Sequence, residues 1–98
     1  MNAYIFNADI FCEECTQELR TELGNEGKPD TGDSDDFPQG PYSDGGGESD
    51  CPEHCGDCGV FLENSLTTDG ENYVKVSVDV GYGGVAESEW KPFYSYLF

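Results

Sequence analysis

Positive charge is scarce in this sequence. Four Lys+Arg stand against 21 Asp+Glu in 98 residues, for a formal net charge of −17 and a pI near 4.1. Affinity for nucleic acid is built from Lys and Arg neutralising phosphates, and Arg20, Lys28, Lys75 and Lys91 are scattered and outnumbered, so direct DNA or RNA binding is excluded. Anionic membranes are excluded on the same ground. Long apolar runs are also missing: none approaches the roughly 18–20 residues of a membrane-spanning helix. Met1-Asn2-Ala3-Tyr4-Ile5-Phe6-Asn7 has neither a basic n-region nor a long apolar h-region, so no secretory signal is expected and a reducing cytoplasm is the expected compartment. Hydrophobic residues are only 36 % of a chain that also carries 13 Gly and 5 Pro. One small domain spanning 1–98 fits this length, and a core this small calls for a cross-link.

Five cysteines supply the means. An odd number cannot form a fully paired disulfide framework within one chain. Cys12-Glu13-Glu14-Cys15 and Cys55-Gly56-Asp57-Cys58 are two CxxC pairs separated by 39 residues. A CxxC turn aims both sulfurs at one ion, and two such turns complete a tetrahedral Zn–S₄ shell, so Cys12, Cys15, Cys55 and Cys58 are the expected ligands of a structural Zn²⁺. Gly56 and Gly59 suit the second turn because glycine accepts positive φ. Cys51 and His54 flank this turn and are the possible substitutes for one of the four. Otherwise Cys51 is a spare thiol and His54 a supporting donor or a surface residue. Thiol–disulfide exchange is the rival chemistry for CxxC. It needs a depressed thiol pKa, and Glu13, Glu14 and Asp57 work against one, whereas a dication holds the thiolates as ligands.

The expected architecture is α+β: short N-terminal strands, two or three helices and a long acidic loop, stapled by zinc. Ala3–Phe11 is rich in β formers, with Asn7 and Asp9 interrupting the apolar pattern, which predicts one or two short strands. Cys15, Leu19 and Leu23 recur every four residues, which predicts a helix over about 13–23 with Gly24 as the residue after its C-cap. Residues 24–50 hold seven Gly, three Pro and eight acidic residues against one Lys, which predicts a flexible acidic loop. Asp33-Ser34-Asp35-Asp36 lacks the spacing, the Gly and the closing Glu of an EF-hand. Val60-Phe61-Leu62 should pack beside the metal.

The segment after Leu66 is ambiguous. Thr68 with Glu71 reads as a capping box, and Gly81 as a stop, for a helix over about 70–80. Yet Val74, Val76, Val78 and Val80 alternate with polar residues as a strand would. Gly81-Tyr82-Gly83-Gly84 is a break. Trp90, Phe93, Tyr94, Leu97 and Phe98 then fall at helical spacing as a core stripe, with Pro92 acceptable in a first turn or at a kink.

Three stretches, Tyr4–Cys12, Asp33–Tyr42 and His54–Asn64, resemble a group of small uncharacterised two-CxxC proteins of bacteriophage, plasmid and metagenomic origin. The resemblance implies a mobile-element protein with two zinc knuckles in a bacterial host cell and a helix after Tyr73, though the valine-rich stretch departs from the group's pattern there. It carries no known activity.

Catalysis finds little support. His54 is the one histidine, no nucleophile motif is visible, and Gly45-Gly46-Gly47 lies in an acidic run rather than in a phosphate-binding loop. The expected function is non-enzymatic binding of a basic partner protein, as a phage-type inhibitor whose carboxylates stand in for phosphates. Asp33, Asp35, Asp36, Phe37, Tyr42 and Asp44 of the acidic loop are the candidate contacts. The alternative is a thiol-redox or metal-dependent enzyme using the CxxC pairs.

Overall fold

Strands β1 (Ala3–Phe6) and β2 (Asp9–Cys12) pair antiparallel, Ala3 with Cys12 and Phe6 with Asp9, in a computed structural model that describes residues 1–81 and 83–98. Asn7 and Ala8 between them have φ of 51° and 60°, the two positive values of a type I′ turn. The polar interruption in the sequence is therefore the hairpin turn. Strand β3 (Gln39–Tyr42) pairs with the other side of β1, giving the order β2-β1-β3. This strand lies inside 24–50, where composition predicted only loop. Gly40 and Pro41 are poor strand formers, but an edge strand tolerates a proline, and the open side of β1 supplies the hydrogen bonds. The same segment is tied down by the Asn7 N–H donating to the Ser34 carbonyl at 2.8 Å. Arg20 holds it as well, lying over the rings of Tyr4 and Phe37 and donating to the Pro38 carbonyl.

Helix α1 (Glu13–Asn25) starts where the periodicity placed it and buries Cys15 and Leu23. It runs through Gly24 rather than stopping there. Gly27, with φ of 73°, takes the left-handed position instead, and the Lys28 N–H closes back on the Leu23 carbonyl. A glycine inside a helix costs only about 1 kcal/mol, so it weakens the turn without ending it.

Helix α2 (Thr68–Asp79) resolves the ambiguous segment as helical. Its cap is Thr67, not Thr68: the Thr67 hydroxyl accepts the Gly70 N–H at 3.1 Å. Alternate residues of a helix lie about 200° apart, so the valine alternation places Val74 and Val78 inward and Val76 and Val80 outward. Gly81 ends α2 at φ of 67°. Tyr82, in the middle of the expected break, lies outside the described residues.

The C-terminal helical stretch runs through α3 (Gly83–Val85), a π-helical segment (Ala86–Trp90) and α4 (Lys91–Phe93) to a 3₁₀ turn (Ser95–Leu97). The Lys91 N–H reaches back five residues to the Ala86 carbonyl. Pro92 follows directly, in the first turn of α4. It lacks an N–H and would crowd the Ser88 carbonyl in a regular α-turn, and the wider π-turn relieves that crowding.

The apolar residues form two small cores. Ala3, Cys12, Cys15, Cys55 and Leu62 make the first, with Ile10 and Phe11 against it. Phe61, Val74, Ala86, Trp90 and Tyr94 make the second. Of the expected aromatic stripe, Trp90 and Tyr94 are buried, while Phe93 and Phe98 remain 43 % and 52 % exposed. The adjacent residues Phe61 and Leu62 face different cores and join them, which fits an elongated molecule of 48 × 22 × 17 Å.

Candidate metal centre

The second CxxC pair sits at the tip of a short hairpin. The Leu62 N–H donates to the Glu53 carbonyl, and the Cys55 N–H to the Val60 carbonyl, each at 2.9 Å. At the tip the Gly59 N–H returns to the Cys55 carbonyl, with Gly59 at φ of 79°. The Gly56 N–H donates to the Ile10 carbonyl at 2.8 Å, so the hairpin docks on the edge of β2. A Cβ on Gly56 would stand 2.2 Å from the Asp9 carboxylate. A side chain there would have to displace that carboxylate, whereas positive φ explains Gly59 alone. The first pair is placed by β2 and α1: Cys12 ends the strand and caps the helix, and Cys15 lies in its first turn. The buried Thr16 hydroxyl bonds the Cys12 carbonyl at 2.8 Å and fixes the junction.

Docking therefore brings together the four sulfurs that the spacing singled out. The Sγ atoms of Cys12, Cys15, Cys55 and Cys58 all lie within 4.8 Å of one another, and those of Cys12 and Cys58 are 3.7 Å apart. A tetrahedral shell with Zn–S of about 2.3 Å has sulfur–sulfur edges of about 3.8 Å, so the set fits a four-coordinate ion. All five cysteines are free thiols. Three of the four cluster members are buried and Cys58 is exposed. Beside Cys12 and Cys58 lies a cleft of about 290 Å³, lined also by Glu13, Glu14 and Val60. Leu62 packs on the site as expected, while Phe61 turns to the other core and Val60 stays exposed.

The two flanking candidates stand apart from this cluster. Cys51 is half-buried, with its sulfur 3.9 Å from a Glu53 carboxylate oxygen. His54 is adjacent to Cys55 in an extended segment, so its side chain points to the opposite side. There the Trp90 indole N–H donates to its Nε2 at 3.1 Å, which leaves Nδ1 to donate to the Gly59 carbonyl at 2.8 Å. His54 thus links the metal hairpin to the C-terminal helical stretch and also stacks on Phe61.

Burial pushes the thiols of Cys12 and Cys15 up. Burial acts the same way on Cys55, but backbone N–H groups of Cys12, Cys58 and Asp57 directed at its sulfur outweigh it and bring it down to about 6. Metal binding must displace the protons of Cys12 and Cys15 at neutral pH, while the Cys55 proton is the more easily lost. Metal affinity is accordingly expected to fall as pH falls, by about tenfold per unit for each proton displaced, and to steepen below about pH 6 where Cys55 also takes up a proton. Competition with a chromophoric chelator from pH 8 to pH 5 measures this, and a flat affinity across that range contradicts it.

The acidic-loop candidates are dispersed by role. Asp33 accepts the Asp35 N–H, and Asp36 accepts the Thr31 hydroxyl. Phe37 is half-buried beneath Arg20, while Asp35, Tyr42 and Asp44 are exposed. A residue without any sequence signal turned out to be central: Asn64 is fully buried, and its amide bonds Glu53, Cys51 and Ser65.

No protein-family model, curated protein or solved structure matches the chain. Among the described residues, no helix is long and apolar enough to cross a membrane.

Proposed function

We propose that this chain is a non-enzymatic zinc protein that binds a basic partner protein, acting as a mobile-element inhibitor whose carboxylates occupy phosphate-like positions. The observation that carries the reading is the union of a closed four-sulfur site with a net charge of −17. Four cysteine thiolates are the donor set that structural zinc takes, and they leave the ion no open position for a reacting water. The few cations support the same reading. Lys28 and Lys91 stand beside Glu26 and Glu87, and Arg20 is turned against Tyr4 and Phe37, so little positive charge faces a phosphate. A surface of this sign attracts Lys- and Arg-rich grooves and steers their approach.

Affinity capture from a bacterial lysate tests the reading. Nucleic-acid-binding proteins should be recovered, released by salt and displaced by added DNA. Recovery of none, or capture insensitive to salt, contradicts it. The lowered Cys55 thiol favours a second reading, thiol-redox chemistry, although Cys55 itself is buried. Turnover of a dithiol substrate by the metal-free protein would establish that alternative.

A further inference from the structure

The four sulfurs of the metal centre are not equally protected. Cys12, Cys15 and Cys55 are buried, whereas Cys58 is exposed. The cleft of about 290 Å³ beside the centre is lined by Cys12 and Cys58, with Glu13, Glu14 and Met1 around them. The Sγ atoms of Cys12 and Cys58 stand 3.7 Å apart along it, at van der Waals contact. Cys15 lies in the first turn of α1 and does not reach the cleft, and the sulfur of Cys55 is held by backbone N–H groups. One sulfur is therefore open to a small solute, and one neighbouring sulfur is placed to react with it next. Thiolates, not thiols, are the reactive form. In the metal-free chain Glu13, Glu14 and Asp57 oppose a thiolate, but coordination to a dication keeps the sulfur deprotonated at neutral pH.

We infer that Cys58 is an oxidation site, at which hydrogen peroxide entering the cleft attacks the exposed sulfur and Cys12 resolves the product into a Cys12–Cys58 disulfide, with loss of the zinc. Peroxide is small and neutral, so neither the carboxylates of Glu13 and Glu14 nor the amino group of Met1 bars it. In the first step the Cys58 thiolate attacks one peroxide oxygen. An S–O bond forms, the O–O bond breaks, and the departing hydroxide takes a proton to become water. In the second step the Cys12 thiolate attacks the Cys58 sulfenic sulfur. The S–S bond forms, the S–O bond breaks, and a second hydroxide leaves as water. Two thiolates lose two electrons in all, and one peroxide gains them. Cys15 and Cys55 are then the remaining donors, too few to complete a tetrahedral shell. The new bond joins the β2–α1 junction to the hairpin tip, the same two parts that the ion joins, so the metal half of the molecule stays together and a dithiol reductant reverses the change. The inference rests on the proposed zinc site and adds a modification to it.

The test uses the full zinc-loaded chain, with C51S alongside to remove the thiol outside the cluster. Zinc content is measured first. Hydrogen peroxide is then added, zinc release is followed with a chromophoric chelator over a peroxide-free baseline, and samples are quenched in acid and alkylated for peptide mapping. Zinc should be lost with about one peroxide consumed per ion. The loss should run in step with the appearance of a peptide pair cross-linked through Cys12 and Cys58, while Cys15 and Cys55 remain open to alkylation. The helical circular dichroism signal should persist, dithiothreitol should restore zinc binding, and C51S should behave as the wild type does. Met1 at the cleft also takes up oxygen from peroxide, but as a sulfoxide that mapping tells apart from the disulfide. A first disulfide within either CxxC pair, a loss of zinc that C51S abolishes, or zinc retained under peroxide overturns the inference and leaves the zinc reading standing. A chain that carries no zinc before peroxide is added overturns both.

Discussion

Cys15→Ser is expected to abolish stoichiometric metal binding and to cost on the order of 5 kcal/mol of stability, lowering the melting temperature by roughly 20 °C or more. The reason lies in the composition of the first core. Three of its five buried residues, Cys12, Cys15 and Cys55, are themselves proposed ligands; Ala3 and Leu62 are the other two, with the half-buried Ile10 and Phe11 packed against them. Without an ion, that cluster is a few thiols, a methyl group, one leucine and the half-buried side chains of Ile10 and Phe11, a small apolar area to hold β2, α1 and the hairpin together. With an ion, the free energy of coordination becomes free energy of folding. Cys51→Ser is the internal control. Cys51 lies outside the cluster, so its replacement should leave metal content at one ion per chain and change stability by about 1 kcal/mol or less. Metal analysis and thermal melting of the two variants measure the contrast. Equal loss of metal in both would contradict the assignment of ligands.

Asn64→Ala is expected to cost about 3–5 kcal/mol. The Asn64 Oδ1 accepts the Glu53 N–H at 2.7 Å, and its Nδ2 donates to the carbonyls of Cys51 and Ser65 at 3.2 and 3.0 Å. Its own carbonyl accepts the buried Tyr94 hydroxyl at 2.6 Å. One amide therefore binds the base of the metal hairpin, and its backbone binds the C-terminal helical stretch. Truncation to alanine leaves the Glu53 N–H and the carbonyls of Cys51 and Ser65 without their amide partner. Tyr94→Phe removes only the hydroxyl and should cost about 1–2 kcal/mol. Denaturant unfolding of both variants tests the ranking, and a loss for Asn64→Ala no larger than that for Tyr94→Phe contradicts it.

The sulfur cluster was legible because a CxxC turn constrains its own geometry: two such turns converge wherever the chain lets them meet. What sequence could not show is how they meet. That depends on the Gly56 N–H finding the Ile10 carbonyl, a contact between backbone groups that no side chain announces. The same limit applies to β3, whose Gly40 and Pro41 say loop while the open side of β1 makes a strand. Helix α2 shows the opposite case. Its alternating valines satisfy the strand period and, at i and i+4, the helical one too, so periodicity alone could not decide; the cap at Thr67 and the stop at Gly81 did. Asn64 and the Trp90–His54 bond were invisible because polar residues at core positions are recognised only once their partners are known.

X-ray absorption at the zinc edge, on the protein purified from zinc-containing medium, probes the shared ion most directly. The account predicts one zinc per chain surrounded by four sulfurs at about 2.3 Å, with no nitrogen or oxygen neighbour. A shell containing imidazole nitrogen or water oxygen, or a protein that binds no metal while Cys12, Cys15, Cys55 and Cys58 are all reduced, would contradict it.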